Sequence, residues 1–478
     1  MPTLAELFAL WGQPAPALEV RGITHDSRQV APGFVFVALP GVPLPSRKPL
    51  DGHDYIPEAL ARGAVAVVGA RALELPVPYL QVDDPRAALA DLAAAFHGHP
   101  ARRLGLLGVT GSKGKTTVVA LLHHLLQSAR PPVGRLSTVG VRVGEEEDFL
   151  PGHFTTPEAP QVQALLHRFV AAGCRMAVLE VSSHALALDR VRGLGYEVGV
   201  FTNLYEDHLD LHGSMAAYFA EKKKLLDRSN FAVVNSDNPW TRSLLGRPRT
   251  WSYGAQGHWR AERVVEERGG LYFEVCSPLG RFAVELPMLG RFNVENALAA
   301  MAAAAWVGLS PAEMQAALAR FPGVPGRMQL IQAEPFRVVV DFAHTGASLE
   351  RALQTLRPTT PGRLVVVIGA AGNQDPSRRT SIGRVAAQLA DLAIFTEEDH
   401  RTEPLEAILK AMAEAHGDPR RHVLVPDRRA AIRYAIGLAR PGDTLLFSGK
   451  GHERTLERGL EVLPWNEVDE VRQALSAL

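Results

Sequence analysis

Cysteine is nearly absent: Cys174 and Cys276 are the only two in 478 residues. They lie far apart and match no metal-ligand spacing, so neither a disulfide framework nor a cysteine metal site is expected. Two free thiols fit a reducing compartment, and the expected location is the cytoplasm. No uninterrupted apolar stretch is long enough to span a bilayer. The N-terminus, Met1-Pro2-Thr3-Leu4-Ala5-Glu6, lacks a basic region followed by an apolar run, so no signal peptide is read. Neither sign of charge dominates, with 51 Lys and Arg against 51 Asp and Glu. No global field favours nucleic acid or a membrane, and neither is expected as a partner. Internal repeats and low-complexity tracts are missing too. What remains is a chain with 46% apolar residues, ordinary for a globular protein and long enough for two to four domains.

The stretch Gly108-Val109-Thr110-Gly111-Ser112-Lys113-Gly114-Lys115-Thr116-Thr117 organises the rest. Before it, Leu104 to Val109 is short and apolar, as a buried strand is. After it, Val118, Leu121, Leu122, Leu125 and Leu126 recur at helical spacing. Strand, glycine turn, Gly-Lys-Thr and helix make a phosphate-binding loop. Gly111 and Gly114 let backbone N–H groups crowd a phosphate. The helix N-terminus adds its dipole and Lys115 adds a full charge. Thr116 places a hydroxyl where Mg²⁺ would sit, with Thr117 beside it. The spacing departs from the common form, because Val109 stands where the first glycine belongs. The compact Gly111-x-x-Gly114-Lys115-Thr116 is left, and a purely structural turn does not ask for lysine between glycine and threonine.

The predicted fold is α/β with three domains. Residues 1–100 read as a small α/β unit, with strands at 34–39 and 64–69 and helices at 56–62 and 86–96. Within it Thr24-His25-Asp26-Ser27-Arg28 is a polar knot that reads as a turn, and residues 41–49 form a proline-rich loop. Residues 101–324 alternate strand and helix, which predicts a largely parallel sheet and a P-loop ATPase-like domain. Its strands at 176–181, 198–202 and 231–235 follow the one before the glycine turn. Ligands gather at the carboxyl ends of such strands, and Lys115, Glu180 and Asn203 all stand there. Phe321-Pro322-Gly323-Val324-Pro325-Gly326 reads as a hinge. Residues 325–478 resume the alternation as a Rossmann-like domain without its own phosphate loop, with strands at 338–341, 364–368, 392–396 and 444–447.

Several polar residues suggest chemistry without settling it. Glu180 suits Mg²⁺, which prefers carboxylate and water oxygens. His208 and His212 are spaced i, i+4 like a zinc pair, but no helical glutamate accompanies them. Lys222-Lys223-Lys224 reads as a solvated basic face. Asn296 is suited either to a purine edge or to a helix start.

Taken in order, these motifs resemble the Mur ligases, and most closely their UDP-N-acetylmuramyl-tripeptide synthetase branch, over nearly the whole length. Thr110 to Thr117 is similar to the family's phosphate loop, with Ser-Lys where Thr-Asn is commoner. His25-Asp26-Ser27-Arg28 resembles the motif that holds the UDP end, and Thr155-Thr156-Pro157 the one near the muramyl peptide. Glu180-Val181-Ser182-Ser183-His184, Phe201-Thr202-Asn203-Leu204, Asp207-His208-Leu209-Asp210 and Val340-Asp341-Phe342-Ala343-His344-Thr345 match in sequence order. The resemblance implies roles. Lys115 would contact the β- and γ-phosphates of ATP. Thr116 and Glu180 would hold one Mg²⁺ and His208 a second. Lys222 falls at the family's carbamylated lysine, a further metal ligand. Ser27, Thr155, Thr156, Ser182 and Arg190 would touch the UDP-muramyl dipeptide, and Asn296, Arg327 and Asp341 the adenine, phosphate and ribose of ATP. The dipeptide carboxylate would become an acyl phosphate and then an amide with a diamino acid. The expected working form is a monomer.

Two departures bear on the last domain. The family's Gly-Cys-Gly-Gly-Asp-Arg-Asp run appears as Gly369-Ala370-Ala371-Gly372-Asn373-Gln374-Asp375, and Arg378 or Arg379 replaces a lysine after it. Enzymes that add meso-diaminopimelate carry Asp-Asn-Pro-Arg, whose arginine grips the distal carboxylate. Here Glu398-Asp399-His400-Arg401 stands in that place. Glu398 and Asp399 suit a side chain ending in ammonium, as in lysine or ornithine, whereas Arg401 argues for meso-diaminopimelate. Gly449 and Glu453, from the matching Gly-Lys-Gly-His-Glu run, would line the same pocket. The expectation leans to lysine or ornithine. A rival from another class is a catalytically silent nucleotide-binding subunit, against which the presence of Lys115, Glu180, His208 and Lys222 counts.

Overall fold

The computed structural model describes residues 1–41, 50–144, 146–149, 155–267 and 269–478. The proline-rich loop read at 41–49 therefore lies, beyond its first residue, outside the described residues. The chain gathers into two compact units, Met1–Arg260 with Leu298–Ser310, and Ala261–Ala297 with Pro311–Leu478.

The first unit carries two sheets. The smaller holds β1 (Gly22–Thr24), β2 (Phe34–Val37), β3 (Ala66–Gly69) and β4 (Tyr79–Gln81), in that order and all parallel. Period-2 alternation divides their side chains between two cores. Val35, Val37 and Val68 pack with Leu89 and Leu92 of the helix Pro85–Phe96, while Phe36 and Val67 pack with Ile56 and Ala59 of the helix Ile56–Ala61.

The larger sheet contains β5 (Gly105–Thr110), β6 (Val133–Ser137), β7 (Gly140–Val143), β8 (Glu146–Asp148), β9 (Met176–Glu180), β10 (Tyr196–Phe201), β11 (Ser229–Asn235) and β12 (Thr250–Tyr253). Its order is β12-β11-β10-β5-β9-β6-β7-β8, parallel from β12 to β6 and antiparallel at β7 and β8. Leu106, Leu107 and Val109 of β5 are all fully buried. Helices cover both faces of a parallel sheet, so its central strands read as apolar runs rather than alternations. Order reverses at β5, between β9 and β10, which is where open α/β sheets form a ligand crevice.

The second unit begins with a departure from the expected strand–helix alternation. β13 (Arg260–Glu267), β14 (Gly270–Ser277) and β15 (Gly280–Leu286) form an antiparallel three-stranded sheet. Side chains of β13 alternate between partial burial and exposure, the signature of a half-solvated strand. The main sheet holds β16 (Gln329–Gln332), β17 (Arg337–Asp341), β18 (Leu364–Ile368), β19 (Leu392–Phe395), β20 (His422–Leu424) and β21 (Thr444–Ser448), ordered β16-β17-β21-β18-β19-β20. Only β16 runs antiparallel. Val338, Val340 and Phe447 face one helical layer, and Val339, Val366 and Leu446 the other. A hairpin of β22 (Thr455–Arg458) and β23 (Glu461–Pro464) follows. The result is the predicted α/β architecture: a small parallel sheet, a central P-loop sheet and a Rossmann-like C-terminal sheet. Among the described residues no helix is long and apolar enough to cross a membrane.

Candidate active site

The glycine turn leaves β5 and enters the helix Lys115–Ala129 directly, with Gly111 at φ 147° and Gly114 at φ 84°. A methyl group on Gly111 would collide with the Thr202 hydroxyl and meet Asn203 N and O at 3.1 Å. Those two residues close β10 and clamp the turn. Thr202 Oγ1 donates to the Lys113 carbonyl at 2.7 Å, and Asn203 Oδ1 accepts from Lys113 N at 2.9 Å. Asn203, legible only as a polar strand end, is thus a support of the phosphate loop. Lys115 Nζ donates to the Gly111 and Ser112 carbonyls at 3.0 and 3.2 Å. Thr117 is half-buried in the first helical turn.

Glu180 ends β9, the strand next to β5, and its two oxygens are divided. Oε1 accepts from Thr116 Oγ1 at 3.0 Å; Oε2 accepts from Thr138 N at 3.0 Å and Thr138 Oγ1 at 3.1 Å. Thr155 Oγ1 lies 3.3 Å from Thr138 Oγ1, which accepts from it because the Thr138 hydrogen goes to Glu180. Thr156 Oγ1 donates to the Glu180 carbonyl at 2.8 Å and accepts from Ser182 N at 3.2 Å. Arg190 donates to the Thr156 carbonyl at 3.0 Å and pairs with Glu158 at 2.6 Å. Four of the five residues assigned to the UDP substrate, Thr155, Thr156, Ser182 and Arg190, therefore converge on the end of β9. Ser27 stands apart, capped into a turn by Asp26 and donating to Glu58 at 2.8 Å. Its neighbour His25 is half-buried with Glu158 and Arg190 among the charges around it, and desolvation holds its pKa below the usual value. Thr138 and Glu158 carried no motif of their own and were not foreseen.

The expectation of a solvated basic face at 222–224 fails for its first member. Lys223 pairs with Asp227 at 2.8 Å and Lys224 with Glu221 at 2.7 Å on the surface of the helix Met215–Asp227. Lys222 is 1% exposed. Successive helical residues point about 100° apart, so three lysines in a row cannot share one face. Lys222 Nζ donates to the Gly111 carbonyl at 2.8 Å, the same oxygen that Lys115 reaches. Burial, and then the Lys115 charge, hold its pKa well below the usual ammonium range. His208, at φ 55°, precedes the short helix Leu209–His212, and its ring centroid lies 4.8 Å from that of His184. Burial lowers its pKa.

Among the described residues no three His, Cys, Asp or Glu side chains gather to hold a metal ion, so the His208–His212 spacing builds no zinc site. Mg²⁺ has other needs: one or two carboxylates, with water and substrate phosphates completing the shell. The Thr116 hydroxyl and the buried Glu180 carboxylate, 3.0 Å apart at the phosphate loop, are a donor set of that kind.

In the second unit, Asp341 ends β17 and accepts from Met328 N at 2.6 Å and Ala343 N at 2.9 Å. Burial raises its pKa. The Arg327 guanidinium lies 4.7 Å from the Phe342 ring centroid. Asn296 donates to Asn293 at 2.8 Å inside the helix Phe292–Trp306. A separate cluster forms where β19 and β21 end. Glu398 is buried, and burial pushes its pKa up to about 7 against the pull of Arg428 and Lys450. Gly449, at φ 106°, gives it room: a methyl there would lie 2.5 Å from Glu398 Oε2. Asp399 and Glu453 share the Lys450 ammonium at 2.8 and 2.7 Å. Arg401, at φ 52°, donates from Nε to Glu457 at 2.7 Å and from Nη1 to the Gly372 carbonyl at 3.2 Å. Arg379 makes a two-pronged pair with Glu403 at 2.7 and 2.5 Å.

Residues 19–97 match the model described as Mur ligase family, catalytic domain; residues 109–304 match Mur ligase middle domain; residues 326–451 match Mur ligase, glutamate ligase domain. The UDP-N-acetylmuramyl-tripeptide synthetase of Deinococcus radiodurans is 52% identical over 99% of each chain. The UDP-N-acetylmuramoyl-L-alanyl-D-glutamate–2,6-diaminopimelate ligase of Geobacillus kaustophilus is 39% identical, covering 99% of this chain and 98% of its own. A solved structure of a protein with the latter name superposes with a TM-score of 0.67 at 31% identity, over 97% of this chain and 95% of that one.

Proposed function

Since the chain belongs to the Mur ligase family, ATP-dependent enzymes that join an acid to an amino acid, we propose that it adds a diamino acid to UDP-N-acetylmuramoyl-L-alanyl-D-glutamate in peptidoglycan synthesis. The observation that carries this reading is the divided carboxylate of Glu180. One oxygen meets Thr116 of the nucleotide loop, and the other meets Thr138, which leads to Thr155 on the acceptor side. A site that must bring a substrate carboxylate to the γ-phosphate of ATP needs that junction. Names of the relatives point to the same acceptor.

A carboxylate does not react with an amine at neutral pH. The dipeptide's terminal oxygen therefore attacks the γ-phosphorus, the bond to the β–γ bridging oxygen breaks, and ADP leaves an acyl phosphate behind. The incoming neutral amine then adds to the acyl carbon, phosphate departs taking up the proton the nitrogen sheds, and the amide remains. Lys115 presents its charge to the phosphoryl oxygens, as loop lysines do. Thr202 and Asn203 hold the loop so that its N–H groups are aligned before ATP arrives. Thr116, Glu180, His208 and carbamylated Lys222 would hold Mg²⁺, which when bound neutralises charge on the transferred phosphoryl group. Lys222 suits carbamylation because only the neutral amine reacts with carbon dioxide, and its burial favours that form. We place the working divisions at 1–100, 101–324 and 325–478, and take the chain to act as a monomer.

For the amino acid we lean to L-lysine or L-ornithine, on Glu398 and the excess of carboxylates over accessible cations around it. Arg401 favours the alternative, meso-diaminopimelate. The test is ADP release with UDP-muramyl dipeptide and each of the three amino acids in turn. Turnover is expected only when both substrates are present, with lysine or ornithine above meso-diaminopimelate. Release of ADP that ignores the amino acid would sink the ligase reading.

A further inference from the structure

Arg428 and Lys450 act on Glu398, Arg401 acts on Asp399 and Glu453 beside it, and these three cations differ in access. Arg428 is fully buried against Glu467, and Lys450 is fully buried between Asp399 and Glu453. Only Arg401 reaches solvent, with 30% of its side chain exposed. A second carboxylate on an incoming amino acid would therefore have one guanidinium to meet. That guanidinium already has a carboxylate: Glu457 accepts from Arg401 Nε at 2.7 Å.

The pairing is built in rather than incidental. Arg401 N donates to the Glu457 carbonyl at 3.3 Å and Gly459 N donates to the Arg401 carbonyl at 2.8 Å, so the hairpin backbone brackets Arg401. Glu457 N donates to Asp399 Oδ1 at 2.9 Å. On the far side of the loop, Arg458 grips Glu397 through two nitrogens at 2.8 and 2.5 Å. The hairpin β22–β23 thus fixes both the place of Glu457 and the loop that carries Arg401.

We propose that Glu457 is a specificity-determining residue: its carboxylate occupies Arg401 as an internal stand-in for the distal carboxylate of a substrate. With Arg401 cancelled, Asp399 and Glu453 still outnumber Lys450. The net field left in the pocket is negative, which favours a side chain ending in ammonium and repels one ending in carboxylate. This rests on the ligase reading above and names the feature that separates basic diamino acids from meso-diaminopimelate.

Glu457→Gln removes the charge and keeps the shape. The ratio of kcat/KM for meso-diaminopimelate to that for the better of lysine and ornithine should rise by about 10- to 100-fold, the range of one charged hydrogen bond gained or lost. The change should appear chiefly in the amino-acid KM. Glu457→Asp should stay near the unmutated ratio. In the double variant Glu457→Gln/Arg401→Ala the gain should vanish, which a merely structural role for the hairpin does not predict. An unshifted ratio in a folded Glu457→Gln enzyme overturns the role of Glu457 alone. Failure of the unmutated chain to turn over any of the three amino acids overturns the ligase reading beneath it.

Discussion

Replacing Gly111 with alanine tests the nucleotide loop at its tightest point. Gly111 sits at φ 147°, a conformation that costs a residue with a side chain about 1–3 kcal/mol. The added methyl must also displace the Thr202 hydroxyl, which is 1% exposed and donates to the Lys113 carbonyl at 2.7 Å. Breaking that bond costs about 1 kcal/mol, because Asn203 Nδ2 still reaches the same carbonyl at 3.2 Å. The loop conformation that presents its N–H groups is thereby penalised by about 2–4 kcal/mol, and nucleotide affinity should fall by about 30- to 1,000-fold. Calorimetric titration with Mg·ADP reads the affinity directly, and thermal unfolding of the same sample reads stability. Adding Thr202→Ala removes the colliding oxygen and should return part of the loss. Affinity within threefold of the unmutated chain would refute the reasoning, since the loop would then tolerate a side chain where the structure leaves no space.

Lys222→Ala should nearly abolish ligation, with partial rescue by acetate, because a buried amine is worth its place only if it becomes a carboxylate-like ligand; full activity without added carboxylate would remove that role. Arg428→Met strands the fully buried Glu467 and should destabilise the second unit by about 3–5 kcal/mol, seen as a lowered unfolding midpoint, while Arg428→Met/Glu467→Leu should recover most of it. Glu398 carries a pH signature. Its folded pKa, near 7, lies above its unfolded value, so its contribution to stability is full below about pH 4.5 and is lost as pH rises through 7. Glu398→Gln should therefore match the unmutated chain in melting temperature at pH 5 and exceed it at pH 8; equal profiles at both would remove the buried, protonated carboxyl.

What could be read in the sequence was local. The phosphate loop depends on residues within one turn and one helix start, so spacing alone located Lys115 and Thr116. β5, β18 and β21 are apolar runs that stand out because both their faces are covered. The rest depends on contacts between distant positions. Asn203 supports the loop across 90 residues, Asp399 meets Lys450 across 51 and Arg401 meets Glu457 across 56. No periodicity reports such pairs. Asp399 consequently looked like a free acid for a substrate ammonium, whereas it is held by Lys450. Arg379, one of two arginines read in place of the family's lysine, grips Glu403. Lys222 was masked by its neighbours, because composition averages over a helical turn that burial divides. The antiparallel sheet at 260–286 was missed for a related reason: its strands alternate within a stretch otherwise dominated by βα units.

The two sites handle charge in opposite ways, and the difference follows from what each must do. Around Gly111 two lysines converge on one carbonyl, two carboxylates, Asp207 and Glu180, act on Lys222, and Glu180 also ties the loop to Thr138. Burial, and then the Lys115 charge, hold the Lys222 pKa well below the usual ammonium range. In the cluster of Glu398, Asp399 and Glu453, three cations are each matched by a protein carboxylate, Arg428 by Glu467, Lys450 by Asp399 and Glu453, and Arg401 by Glu457. A pocket built that way can discriminate only by the charge it has left over. That remainder is negative, and it rests on a hairpin carboxylate that no motif marks. Activity and specificity in this chain should thus be separable by mutation: changes at Gly111, Glu180 or Lys222 act on turnover with every amino acid, whereas changes at Glu457 redistribute turnover among them.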